Sequence, residues 1–343
     1  MIKILGKNPS GSVKAAVDAS PNYRDGAFQN LEETVMLVEK GSYWKMMQEF
    51  VKGVPGHRPD KPLPGVKSNP SEGMAGETVL TWFGHSSYHL NIEGKSVLID
   101  PVFIGYAAPF SNMVKAFEGA DKFGVNDFKT IDVLVLTHDH YDHLDYHTLL
   151  KLKPKVSKIV CSLGVASHLI FWGFNPDIIT QLDWWQDTTL PDGMKITATP
   201  ARHFSGRSLK RAQTLWSSFV LETPKHRIFL GGDSGYGTHF KAIGDHFGGF
   251  DFALLECGQY NQKWPMIHMA PEQTVQAHID LNTKVSMPVH WGKFGLAYHP
   301  WTEPIERFTA AADIATVTYT TPLIGEQVVI GKHYPKSKWW KEV

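Results

Sequence analysis

The sequence predicts an α/β fold with sheet buried between helical layers, and three observations predict it. Short β-rich runs and helix-patterned runs alternate in both halves of the 343-residue chain. The run DVLVLT (132–137) is apolar without alternation, the pattern of a strand covered on both faces. Composition is that of an ordinary globular protein, 42% hydrophobic and 20% charged, which excludes disordered, collagen-like and low-complexity classes.

Residues 1–75 read differently from the rest, as an N-terminal helix and wrapping arm. Leu31, Val35, Val38, Trp44, Met47 and Val51 fall at helical intervals between Glu and Lys residues, so a helix is expected over Leu31–Val51, packing its apolar side on the main domain. GVPGHRPDKPLPGVKSNPSEG (53–73) then carries too much Pro and Gly for regular structure. The main domain is expected over 76–343. It opens with three short strands, TVLTWFG, SYHLNI and SVLID, split by Gly-His-Ser and Glu-Gly turn signals. After DVLVLT come strand candidates KIVCS (158–162), MKITATP (194–200), LWSSFVLE (215–222), RIFLGG (227–232), FALLE (252–256) and VSMPVH (285–290). Helix candidates lie near 164–172, 236–247, 271–281 and 303–313, and no short-period repeat is present.

Charge narrows the function classes. Lys+Arg and Asp+Glu number 34 each, so the net charge is zero and nothing in bulk electrostatics draws the chain to nucleic acid or an anionic membrane. Two cysteines, Cys161 and Cys257, are too few for a disulfide framework, and MIKILGKNPS is not an apolar signal segment, so a reducing, cytoplasmic setting is expected. No apolar run approaches the roughly 18 residues that span a bilayer. There is no signal for an oligomeric state. The unusual count is 17 histidines.

Those histidines concentrate where the buried strand ends. Thr137-His138-Asp139-His140-Tyr141-Asp142-His143 puts three imidazoles and two carboxylates in seven residues, which no packing requirement asks for. A loop leaving a strand can turn His138 and His140 to one cation while Asp142 and His143 face a second. Imidazole with carboxylate suits Zn²⁺ and other borderline first-row metals. His203, Asp233 and His290 follow further strand candidates and are strong ligand types at loop starts. Singly each has an ordinary alternative, a satisfied histidine or a helix N-cap; beside the first motif those alternatives become minor. Asp100, closing SVLID before Pro101, can orient a ligating imidazole. His85 is read as a structural loop residue behind the site, and His89 and His147 have no chemical task.

The H-x-H-x-D-H motif with single His, Asp and His downstream resembles the metallo-β-lactamase superfamily. WFGHSS (82–87), LIDPVF (98–103), THDHYDHLD (137–145), GDSGYG (232–237), PEQTVQAHIDLNTK (271–284) and PVHWGKF (288–294) resemble more closely its branch of N-acyl-phosphatidylethanolamine-hydrolysing phospholipases D. The likeness runs over about two-thirds of the chain, from Glu77 to His299, and extends beyond the ligands. It implies an αβ/βα sandwich with a two-metal site at one edge of the sheets. It implies His138, His140 and His203 on one metal, Asp142, His143 and His290 on the other, and Asp233 bridging both, with two divalent ions, Zn²⁺ first and Mn²⁺ or Fe²⁺ as alternatives. Pro200-Ala201-Arg202-His203-Phe204 departs from the Gly-His-Thr type segment of the glyoxalase II and lactamase branches, which argues against a thioester or lactam substrate. His140 stands where the flavodiiron branch has a carboxylate, which favours hydrolysis over redox chemistry.

The expected chemistry is attack on phosphorus in a phosphodiester by a hydroxide shared between the metals. The candidate catalytic residues are Asp142, also counted among the ligands, and His268, which corresponds by resemblance to a histidine near the substrate and can protonate the departing alkoxide, or merely cap or pack. Substrate contacts are expected from Arg207, Tyr260, Trp264 and Lys293, with Arg202 a further candidate for an anionic phosphate. Trp184, Trp185, Trp216, Tyr260, Trp264 and Trp291, with PMIHMAP (265–271), either line an acyl groove with peripheral membrane contact or pack ordinarily. A small molecule or a phospholipid is the expected partner and nucleic acid is not. The related L-ascorbate-6-phosphate lactonase branch supplies a second reading, opening of a sugar-phosphate lactone. A non-enzymatic metal-binding protein is the third, and the full ligand set speaks against it.

Overall fold

A computed structural model describes residues 2–37, 54–70, 72 and 76–343. Two mixed sheets carry the main domain. The first has the strand order β15-β3-β4-β5-β6-β7-β8 and is built from β3 (Val79–Trp82), β4 (Tyr88–Ile92), β5 (Lys95–Ile99), β6 (Ile131–Leu136), β7 (Val156–Ser162), β8 (Ile179–Leu182) and β15 (Gln327–Val329). The second has the order β14-β13-β12-β11-β10-β9, from β9 (Asp187–Thr189), β10 (Lys195–Thr199), β11 (Ser218–Glu222), β12 (Arg227–Leu230), β13 (Phe250–Glu256) and β14 (Thr283–Val289). Each sheet begins as an antiparallel meander and turns parallel, at β5–β6 in the first and at β12–β13 in the second.

Parallel neighbours need crossovers, and α-helices supply four of the five, the connection from β5 to β6 being irregular apart from one short turn of 3-10 helix at Val125–Asp127. The turn after β6 leads into α2 (Tyr146–Leu152), β7 leads into α3 (Ala166–Phe171), β12 into α4 (His239–Phe247) and β13 into α5 (Pro271–Asp280), with α6 (Glu303–Ile314) after β14. Alternation along the second sheet assigns its faces. Leu221, Leu230 and Leu254 join Leu98 and Leu134 of the first sheet in the main core, while Val220, Phe229, Ala253 and Leu255 pack outward against Phe240 and Ile243 of α4 and Ala277 and Leu281 of α5. Sheets packed face to face between helices are the expected αβ/βα sandwich.

Ahead of β3 the described residues form α1 (Gly11–Asp18) and the hairpin β1 (Tyr23–Arg24) and β2 (Ala27–Phe28). Val17 and Phe28 share a core with Trp184, Leu215 and Trp216, and Leu63 joins the main core. The helix expected over Leu31–Val51 falls mostly on 38–53, outside the described residues, and 31–37 have only bends and irregular backbone. The ten strand candidates and four helix candidates of the main domain coincide with observed elements. Elements without a sequence counterpart are short: β9 is three polar residues, and α2 is seven residues directly behind the histidine motif, started by Asp145, whose carboxylate accepts from the His147 and Thr148 amides.

Candidate metal centre

Every residue of the site sits where a strand opens into a loop at one edge of the sandwich. β5 ends at Asp100, β6 runs into Thr137–His143, β12 precedes Asp233, β14 precedes His290, and His85 lies in the turn between β3 and β4. Asp100 ties two of these ends together. Its Oδ1 accepts from the Thr137 amide at 2.9 Å, and its Oδ2 accepts from the Thr137 hydroxyl at 2.5 Å and from His143 Nδ1 at 2.7 Å. That leaves His143 Nε2 facing the centre. Asp139 turns the other way: its Oδ1 accepts from the Gly206 amide at 2.7 Å and its Oδ2 from His168 Nε2 at 3.1 Å, so it fixes the loop and stays out of the cluster.

The donor atoms of the expected ligands and His85 collect in two groups, each within 4.8 Å: His138, His140, His203 and Asp233, and His85, Asp142, His143 and His290. Asp233 stands between them. Its Oδ2 lies 3.8 Å from both His138 Nε2 and His203 Nε2, and its Oδ1 lies 3.1 Å from His143 Nε2 and 3.2 Å from His290 Nδ1. His85 Nε2 donates to Asp142 Oδ2 at 2.9 Å, and the His85 and His290 main chains are joined through the His290 amide. All of these side chains are buried except that of His140, which is half-buried.

The donor set fits divalent cations. His140 Nε2, His143 Nε2, His290 Nε2 and Asp233 Oδ1 are buried without a hydrogen-bond partner, an arrangement costly unless something else binds them. Burial, helped by neighbouring imidazoles, holds His138, His203 and His290 well below the usual histidine range, and His140 falls to about 4, so these rings are neutral with free lone pairs. Burial raises the Asp233 carboxyl to about 6. Burial also opposes ionisation of Asp142, but His143 and the bond from His85 outweigh it and hold that carboxyl well below its ordinary value. Imidazole nitrogen and carboxylate oxygen together match zinc and its first-row neighbours.

His268 borders this cluster. Its ring stacks on His290 with centroids 5.2 Å apart and lies 4.9 Å from that of His203, and it faces a cavity of about 480 Å³ walled by Tyr260, Lys263, Gln273, Glu303 and Arg307. His268 Nδ1 donates to Glu256 Oε2 at 2.7 Å. Sequence reasoning passed over Glu256, although a carboxylate closing the apolar run FALLE stands where the other chemical groups stand. It also passed over Asn30, whose side chain bonds both main-chain polar atoms of His203. Nothing local to Asn30 announces that contact.

Several expected substrate contacts have other tasks. Arg207 is buried; its Nη1 donates to the Asp139 and Leu144 carbonyls at 2.8 and 2.7 Å and its Nη2 to the Ile4 carbonyl at 2.8 Å, so it braces the histidine loop instead of offering charge to a phosphate. Lys293 is likewise buried, with Nζ donating to the Val102 carbonyl at 2.9 Å and paired with Asp121 at 3.2 Å. Arg202 bonds Thr34, Glu33 and Tyr236. Tyr260 lines the cavity and its hydroxyl donates to Glu303 at 2.6 Å, whereas Trp264 donates to the Gln259 carbonyl and packs on Tyr298. Trp184, Trp216 and Trp291 are core residues, and Trp185 is exposed against His246, so this set does not form an acyl groove. Among the described residues no helix is long and apolar enough to cross a membrane.

Comparison with known proteins gives this geometry a family context. Residues 95–291 match the model of the β-lactamase superfamily domain. An uncharacterised protein of Mycobacterium tuberculosis is 40% identical over 337 residues, 97% of this chain and 90% of its own length. N-acyl-phosphatidylethanolamine-hydrolysing phospholipase D 1 of Caenorhabditis elegans is 28% identical over 269 residues, 72% of this chain and 74% of that protein, and the mitochondrial enzyme of Saccharomyces cerevisiae is 31% identical over 253 residues, 71% of this chain and 53% of that protein. Among solved structures, Igni18, a metallo hydrolase of Ignicoccus hospitalis, superposes with a TM-score of 0.56 at 22% identity over 74% of this chain and 97% of its own, a likeness of fold.

Proposed function

The chain belongs to the metallo-β-lactamase superfamily, in the branch similar to N-acyl-phosphatidylethanolamine-hydrolysing phospholipases D, and on that premise we propose that this metal-dependent hydrolase is a two-metal phosphodiesterase. The observation that carries the reading is Asp233, whose two carboxylate oxygens face two separate histidine groups. His138, His140 and His203 would hold one cation, Asp142, His143 and His290 the other, with Asp233 between them and zinc the ion best matched to the donors. Bound there, two divalent cations supply a water of lowered pKa and neutralise charge gathering on the phosphoryl oxygens.

The chain's own residues do the rest. Asp100 and His85 hold His143 and Asp142 in register with the cluster, through bonds of 2.7 and 2.9 Å. His268, at the inner wall of the cavity, gives a proton to the departing alcohol oxygen as its bond to phosphorus breaks. The amide and charged walls of that cavity suit the polar half of a diester, with a phospholipid head group or a smaller alcohol as the departing part. The same polar space favours the second reading, a sugar-phosphate lactone.

Metal-loaded protein assayed against bis(p-nitrophenyl) phosphate and a lactone panel separates the two. Diester turnover is expected; turnover of lactones alone overturns the phosphodiesterase. N-acyl phospholipid in liposomes tests the lipid extension, which fails if only water-soluble diesters are cleaved.

A further inference from the structure

We propose that Glu256 is a positioning residue that determines which nitrogen of His268 faces the substrate cavity, an inference that rests on the reading of His268 as proton donor. Glu256 closes β13, is 1% exposed, and has both carboxylate oxygens assigned. Oε1 accepts from the Met269 amide at 2.9 Å and Oε2 from His268 Nδ1 at 2.7 Å, while the Thr274 hydroxyl fixes the Glu256 carbonyl at 2.7 Å. An ionised carboxylate accepts only; in the metal-loaded protein, with the neighbouring cations holding Glu256 ionised against the burial that raises its carboxyl, Nδ1 carries the proton and Nε2 is the nitrogen left for a group in the cavity. The ring cannot turn over in its plane without losing that bond. A buried carboxylate at a strand end is expensive where an apolar residue would pack, and its one side-chain partner is the imidazole beside the cluster.

The step balances as a hydrolysis. Water oxygen forms the new bond to phosphorus and gives up a proton to solvent, and the bond from phosphorus to the alcohol oxygen breaks with its electron pair going to that oxygen. The alcohol oxygen takes the proton from Nε2 of the doubly protonated His268 ring, Nδ1–H stays on His268 and bonded to Glu256, and solvent in the cavity returns a proton to Nε2.

One competing role is testable alongside. Donor atoms of Asp233, Glu256, His268 and His290 lie within 4.8 Å of one another and form a third cluster able to hold a cation. Positioning and ligation differ in what Glu256→Gln does to the metal-loaded full chain. The fixed Met269 amide keeps the glutamine oxygen on its side and turns the NH₂ toward Nδ1, which disfavours the required tautomer. The expected result is a fall in kcat of about 10- to 100-fold for dialkyl or alkyl aryl diesters that lose a poor alkoxide, with KM within about twofold. Bis(p-nitrophenyl) phosphate, whose leaving group departs without a proton, should stay within about threefold, and metal content should be that of the wild type. Equal loss on both substrates, or loss of a metal equivalent, overturns the proposal.

His268→Asn separates this inference from its premise. If that variant shows the leaving-group-dependent loss and Glu256→Gln does not, Glu256 falls and the proton donor stands; if neither shows it, both fall. ¹⁵N NMR of the unsubstituted, metal-loaded protein gives a reading free of substrate and of variant folding. A His268 signal protonated at Nδ1 is expected, and one protonated at Nε2 alone overturns the assignment.

Discussion

Asn30 grips the main chain of His203 at both polar atoms: its Nδ2 donates to the His203 carbonyl at 2.9 Å and its Oδ1 accepts from the His203 amide at 3.0 Å. The same Oδ1 accepts from Trp216 Nε1 at 3.0 Å, so one side chain of the N-terminal arm sets the height of His203 over the core. Asn30→Ala leaves buried groups unpaired and is expected to cost about 1–3 kcal/mol in urea unfolding. Because His203 is a proposed ligand, affinity for one metal equivalent should fall by about 10-fold or more in chelator competition. Lower stability with unchanged metal affinity would mean that Asn30 serves the fold alone.

Contacts of this kind explain what was legible in the sequence. The His138–His143 motif is local, and the strands that deliver Asp233 and His290 show themselves by their apolar runs. Asn30 meets His203 across 173 positions and Arg207 meets Ile4 across 203, so neither contact leaves a local pattern. Arg207 was misjudged for the same reason. A charged side chain in a Gly-Ser-rich loop looks solvated until the carbonyls of Asp139, Leu144 and Ile4 are found around it. Glu256 was visible as a strand-end carboxylate, but its partner His268 became visible only when the 265–268 loop was folded back over β13.

Removing a proposed ligand separates chemistry from folding. His140→Ala and Asp233→Ala are expected to lose metal and activity together while keeping the cooperative unfolding of the wild type, since both sit at the sheet edge. Metal-free protein adds a signed test at Asp233. Burial raises its carboxyl from 3.8 to about 6, so the folded state holds the proton more firmly and stability declines as pH rises through that window. Asp233→Asn should therefore stabilise metal-free protein at pH 7 and give little advantage below pH 3.8, measured by urea unfolding in chelator. Full activity in metal-replete His140→Ala would remove that residue from the site.

His89 provides a pH test away from the metals. It lies on β4, 1% exposed, with Nε2 against the Ser96 hydroxyl at 2.8 Å, and burial lowers its pKa from 6.5 to about 3. The unfolded chain therefore takes a proton that the folded chain refuses. Stability is undiminished above pH 6.5 and falls below it by up to roughly 1.4 kcal/mol per pH unit until about pH 3. His89→Gln lacks this titration. Between pH 7 and pH 5 the stability difference between the two metal-free proteins should shift in favour of the variant by up to about 2 kcal/mol. A difference that does not move with pH contradicts the assignment.

Gly235 is where two active-edge loops touch. A Cβ there would lie 1.9 Å from the Met266 carbonyl oxygen and 2.3 Å from its carbon, closer than backbone tolerates. The Gly235 amide meanwhile donates to the Arg202 carbonyl at 2.8 Å, so the turn cannot retreat without disturbing the residue before His203. Gly235→Ala must push the 265–268 loop outward, and that loop carries both His268 and the Ile267 carbonyl that accepts from His203 Nδ1 at 2.8 Å. Overpacking of this kind is expected to cost about 1–3 kcal/mol. At saturating metal, kcat should fall by about 10-fold or more, since misplacement near 1 Å is worth up to about 10²-fold. Gly124→Ala is the matched control, because its Cβ would meet nothing within 4 Å and its φ of −151° is ordinary for any residue. Wild-type kcat in Gly235→Ala would show that the contact with Met266 is not what places His268.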